Sequence, residues 1–232
     1  GGTFSGDGFT NSSGSTINNG TFSGAGFTNN NGTINGGTFS GSGFTNNYGY
    51  IYNGTFSGDG FTNSSGSTIN DGTFSGDGFT NSSGSTIYNG TFSGAGFTNS
   101  GTISGGTFSG DGFTNNSTIS GGTFSGAGFT NNDSLANISG GTFSGTGFTN
   151  GYNACINGGT FSGSGFTNNS DIIYNGIFSG DGFTNNGGTI HDGNFEGAGF
   201  TNNGTIHNGL FSGAGFTNNN GTINGGTFSG MA

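Results

Sequence analysis

Gly20-Thr21-Phe22-Ser23-Gly24-Ala25-Gly26-Phe27-Thr28-Asn29-Asn30-Asn31-Gly32-Thr33-Ile34-Asn35-Gly36 is one copy of a unit that fills a 232-residue chain. The first Phe of the unit recurs from Phe4 to Phe228. The second, five residues later each time, recurs from Phe9 to Phe216, and together they account for all 27 Phe. An Ile recurs from Ile17 to Ile223, always five residues before the next first Phe. Only the step from second Phe to Ile varies, from 6 residues (Phe97 to Ile103) to 9 (Phe129 to Ile138), so the period wanders between 16 and 19. Drift confined to one segment marks a loop that tolerates insertion between two fixed steps.

A unit this short cannot bury its own apolar side chains, but stacked copies can. In Gly-Thr-Phe-Ser-Gly, alternation points Phe one way and Thr and Ser the other. In Gly-Thr-Ile-Asn-Gly, Ile points in, and in Gly-Phe-Thr-Asn, both Phe and Asn do. The pattern predicts an all-β parallel β-solenoid with three short strands per coil, about 13 coils of 16–19 residues and inward columns of Phe, Phe and Ile. At a rise of about 4.8 Å per coil the stack is roughly 60 Å long. The Asn two residues after each second Phe, from Asn11 to Asn218, is expected to form a side-chain ladder. The pair that follows each Ile-x, such as Asn19-Gly20 or Asp71-Gly72, reads as a tight corner. Residues 1–232 read as a single repeat domain with no evident caps. Dense glycine excludes helix.

The chain has neither Lys nor Arg and a net charge of −10. That excludes phosphate-neutralising nucleic-acid binding and attachment to anionic membranes. It has no transmembrane run and no signal peptide. It begins in mid-pattern at Gly1 without a Met and stops at Phe228-Ser229-Gly230-Met231-Ala232, which reads as a mature or excised piece. The composition points to an extracellular or cell-surface location.

No residue is assigned a catalytic, cofactor-binding or metal-binding role, and the chain does not read as an enzyme. Cys155, the single cysteine, lacks a base and an electropositive setting. His191 and His207 hold equivalent outward places in consecutive coils, but with only Asp192 nearby they make a weak zinc site and read as surface residues. Asp7, Asp59, Asp77, Asp111 and Asp181 share the corner between the two Phe residues, and adjacent copies are mostly avoided, as repulsion requires. Tyr50, Tyr52, Tyr88 and Tyr174 point outward, either as ordinary surface residues or as lateral contacts between rods. Ile172, Ile177 and Leu210 make the C-terminal third stickier, and Leu135 is expected to tuck beside its coil.

Asn203-Gly204-Thr205-Ile206 and Asn220-Gly221-Thr222-Ile223, set in Gly-rich repeats, resemble those of secreted bacterial adhesins of the filamentous haemagglutinin and autotransporter-passenger type. That resemblance implies a secreted or surface-exposed right-handed parallel β-helix. The repeat logic is also similar to that of functional amyloids such as curli subunits. The expected function is a self-assembling extracellular fibre or matrix protein, its partner another copy stacked head to tail. The alternative is an adhesin, or an ice- or carbohydrate-binding module, using the outward Thr/Ser arrays. A disordered Phe-Gly/Ser/Asn chain is the third reading, disfavoured by the fixed five-residue steps.

Overall fold

The structure is a computed structural model and describes residues 1–151 and 153–230; Met231 and Ala232, named above as the chain's last residues, lie outside the described residues. The chain divides into two compact units, Gly1–Phe113 and Thr114–Ala232. Each is a parallel β-solenoid, with about 13 turns in all and no helix among the described residues.

Most turns supply three short strands, separated by glycine-rich corners or by the variable loop. In the first unit Thr73–Phe74, Thr80–Asn81 and Thr86–Ile87 make one such turn. Each strand pairs in parallel with its copy one turn on: Phe74 lies opposite Phe92, Asn81 opposite Asn99 and Ile87 opposite Ile103. The second unit follows the same rule, with Phe178 opposite Phe195, Asn185 opposite Asn202 and Ile190 opposite Ile206.

This register makes the core a set of like-on-like columns. Phe74 stacks on Phe92 at 4.7 Å and 6°, while Phe79 meets Phe74 edge-on at 5.3 Å and 84°. In the second unit Phe178 stacks on Phe195 at 4.8 Å and 5°, and Phe183 stands edge-on to Phe178 at 81°. Parallel rings at this separation and edge-on rings both lie in the range that aromatic pairs favour. In the inner turns the Phe and Ile of the inward columns are buried, whereas the outermost turns leave Phe4 43% and Ile223 38% exposed.

In the inner turns the glycine two residues after the first Phe is fixed by space, whereas Gly6 in the first turn has nothing beside it. A Cβ on Gly94 would overlap the carbonyl of Gly76, and one on Gly197 the carbonyl of Gly180. The step from Ile to Phe differs from the tight corner expected. The glycine two residues before the Phe has a wide positive φ, 137° at Gly72 and 143° at Gly193, and the residue before it has positive φ only at Asn19 and Gly36. A hairpin-type turn would reverse the chain, whereas a parallel coil needs only a bend. In two turns strand pairing continues through the bend, in Thr33–Phe39 and Tyr50–Phe56, with the register shifted at Asn35. Elsewhere Asp71 and Asp192 steady it, each Oδ1 accepting the N–H of the next glycine at 2.8 Å.

The variable step is a loop, as expected. Longer loops close on themselves, as where Ala136 N–H donates to the Asp133 carbonyl at 2.9 Å. In a shorter one Asn99 Nδ2 donates to the Gly101 carbonyl at 3.1 Å. Leu135 does not tuck against its coil: it is 73% exposed, because the inward place at this point of the loop is taken by Ala136.

Replacing Phe92 by Ala should cost ~3–5 kcal/mol, the usual cost of truncating a buried Phe. The same change at half-exposed Phe4 should cost about 1 kcal/mol. Urea unfolding of the two variants checks this, and equal losses would contradict the graded burial of the column.

Candidate functional site: the inner ladder and the outward face

Two sets of polar side chains are organised enough to carry a role: one is buried and one faces water. The buried set is the Asn column. In the first unit Nδ2 of Asn11, Asn29, Asn46, Asn63 and Asn81 each donates to Oδ1 of the Asn one turn on, at 2.8–2.9 Å. In the second unit Asn115, Asn131, Asn150, Asn168, Asn185 and Asn202 do the same at 2.7–2.9 Å. The amide's other N–H is used as well: Asn46 and Asn185 donate to the carbonyls of Gly49 and Gly188, both at 3.0 Å. An amide carries donor and acceptor together, so it is one of the few polar groups that can be satisfied by its own copy.

Beside this ladder runs a column that the spacing analysis missed. The residue two before each Ile points inward and is small: Gly32, Ser67, Ser85, Ala136 and Ala154 are all buried. A Cβ on Gly32 would crowd the amides of Asn11 and Asn29. The signal was present, but it appears only when the loop is counted back from Ile instead of forward from Phe.

Asp171 is the exception in this column. Its side chain is buried and its Oδ2 has no partner. Burial pushes its carboxyl up to about 6, and the backbone N–H groups of Asn153 and Ala154 offset this only in part. Burial, with the Asp171 charge second, also raises the Cys155 thiol, which leaves less thiolate for nucleophilic work.

The corner aspartates have a role that the sequence reading did not find. Oδ1 of Asp7, Asp59, Asp77 and Asp181 each accepts a backbone N–H from the corner one turn on: Ala25, Asp77, Ala95 and Ala198, at 2.8–2.9 Å.

On the water side, the first unit carries an unbroken rank of exposed Thr in register: Thr3, Thr21, Thr38, Thr55, Thr73, Thr91 and Thr107. A parallel rank of exposed Ser lies two residues on, from Ser5 to Ser109. Tyr50 and Tyr52 stand out from this face, their rings 6.5 Å apart. In the second unit the rank breaks at Ile177, Asn194 and Leu210, with Ile172 and Tyr174 also exposed. There the outward place after Ile holds a second stack, Tyr174 on His191 and His191 on His207, each pair at 5.0 Å. Among the described residues no group of three or more His, Cys, Asp and Glu converges on one point.

Replacing Asn63 by Ala should leave Asn46 Nδ2 and Asn81 Oδ1 without their ladder partner, at a cost of ~2–4 kcal/mol. Asn30→Ala, at an exposed place, should stay within about 0.5 kcal/mol, and denaturant midpoints separate the two. For Asp171, the raised carboxyl means that the folded chain binds more protons than the unfolded one between about pH 4 and 6. Its ionisation therefore destabilises the fold as pH rises through that window. Asp171→Asn should be more stable than the parent at pH 7 by about 1–2 kcal/mol after allowance for solvent screening. The gap should close by pH 4, as read from thermal melts at both values.

No protein-family model, curated protein or solved structure matches this chain.

Proposed function

We propose that the protein is a structural fibre subunit, stacking head to tail with copies of itself at the cell surface or outside the cell. The observation that carries this reading is the sameness and polarity of the turns. Each turn buries its upper and lower faces against near-identical turns, so the face at the outer end of a stack is the one an inner turn would cover. Phe4 and Ile223 show what such a face exposes. The Asn ladder gives it direction, since in both units the ladder Nδ2 donates toward the C-terminal side, as from Asn29 to Asn46 and from Asn185 to Asn202. Joining tail to head continues donor onto acceptor, while joining head to head sets acceptor against acceptor. Unpaired strand edges invite such addition, and head-to-tail contacts of this kind give filaments. The absence of Lys and Arg and the low charge content suit an extracellular matrix that depends on packing more than on ion pairs. The resemblance to secreted β-helix adhesin repeats points to the same location.

One observation favours a second reading. The seven-turn rank of exposed Thr with its companion Ser rank is a regular, in-register array of hydroxyls, a surface suited to ice or carbohydrate.

Electron microscopy of the purified chain should show unbranched filaments, and fibre diffraction should show a reflection at about 4.8 Å along the axis. Phe4→Asp with Phe228→Asp should abolish elongation while leaving the circular dichroism of the parent. Strictly monomeric particles at high concentration would overturn the fibre reading, and thermal hysteresis in the same sample would favour the hydroxyl-array reading.

A further inference from the structure

The outward stack of the second unit contains the only two imidazoles in the chain. They sit on neighbouring strands in direct register, His191 after Ile190 and His207 after Ile206, with Ile190 opposite Ile206. Their rings are 5.0 Å apart and 11° from parallel, and both residues are exposed. We propose that His191 and His207 form a two-nitrogen site for a first-row divalent transition metal, with Cu²⁺ the preferred ion.

Three observations support the assignment. Parallel pairing holds the two rings side by side, so the entropy of bringing two ligands together is already met by the fold. Both side chains face water, so neither must be desolvated to meet an ion. The chain has no Lys or Arg to compete and a net charge of −10, which raises the local concentration of cations. The Asn224 amide lies 3.3 Å from Nδ1 of His207. Its Nδ2 faces the ring and donates to Nδ1, which leaves the proton on Nε2, so the amide must turn over and the ring change tautomer before Nε2 can ligate.

The spacing also sets a limit. A metal–imidazole bond of about 2.0–2.1 Å lets one ion span about 4.2 Å between nitrogens. Rings stacked at 5.0 Å must therefore swing toward each other on binding. His191 then tilts away from Tyr174, on which it is stacked at 5.0 Å and 7°. Two protein nitrogens leave the remaining positions to water, a donor set that suits the tetragonal preference of Cu²⁺. The Irving–Williams order ranks Cu²⁺ above Ni²⁺ and Zn²⁺ at such a site.

The test is titration of the full chain with Cu²⁺ at pH 7.5 in a non-coordinating buffer, followed by tyrosine emission and electron paramagnetic resonance. The double variant His191→Ala/His207→Ala serves as the blank for any ion held by the Gly1 amino group. The parent should take up one more ion than the double variant, with hyperfine structure from two imidazole nitrogens. His191→Ala and His207→Ala should each weaken that ion at least tenfold. Tyr174→Phe should keep the affinity and lose part of the emission change. All the substitutions are at exposed places, and circular dichroism confirms that the variants are folded. Equal stoichiometry in the parent and the double variant, or single variants that each keep the parent's affinity, would overturn the proposal.

Discussion

Parallel in-register backbone pairing is the constraint on which the rest of this structure depends. It sets one rise per turn, about 4.8 Å, and it places every side chain directly against its own counterpart. A residue type can fill an inward column only if it packs well on itself. Phe does so by stacking, with a second Phe column edge-on to the first. Ile does so by shape. Asn does so because an amide donates with one end and accepts with the other. A carboxylate cannot, and this explains the distribution of acids. Asp7, Asp59, Asp77 and Asp181 lie at an exposed corner, where each accepts a backbone N–H from the next turn. Asp171, the one acid in an inward column, keeps an unpartnered oxygen and a carboxyl pushed up to about 6.

The same constraint accounts for the glycine. Turns approach so closely beside the first Phe that Gly94 or Gly197 has no room for a Cβ. Each turn therefore gives up side-chain contacts at these points and gains interturn backbone bonds, such as Ser93 N–H to the Phe74 carbonyl at 2.9 Å. Because turns are stabilised mainly by neighbouring turns, an isolated turn has little to hold it, and stability grows with stacking. The outward face is free of this requirement and is where the copies diverge: a uniform hydroxyl rank in the first unit, and Ile, Leu, Tyr and His in the second.

The inner plan was legible in the sequence because it repeats. Fixed steps of five residues identified the Phe and Ile columns, strand alternation assigned Asn29 and its copies to the inside, and length drift located the loop. What resisted reading lay where counting from Phe lost register. The column of small residues beside the ladder, from Gly32 to Ala154, is hidden by the variable loop in front of it. Leu135 read as a residue that tucks in because it is apolar, yet Ala136 holds the inward place.

The sequence by itself determined which side chains face in and that they stack on their own copies, since a period of two within strands and an invariant step between them admit no other burial. Only the tertiary structure decided how the chain passes from Ile to Phe: by a bend at a glycine of wide positive φ, such as Gly72 or Gly193, through which strand pairing continues in two turns. Only it paired the corner carboxylates with N–H groups one turn away and brought Tyr174, His191 and His207 ring to ring. These are relations between residues about one turn apart across strands. Local propensity does not encode them, and they are set only when the backbone of one turn fixes the height of the next.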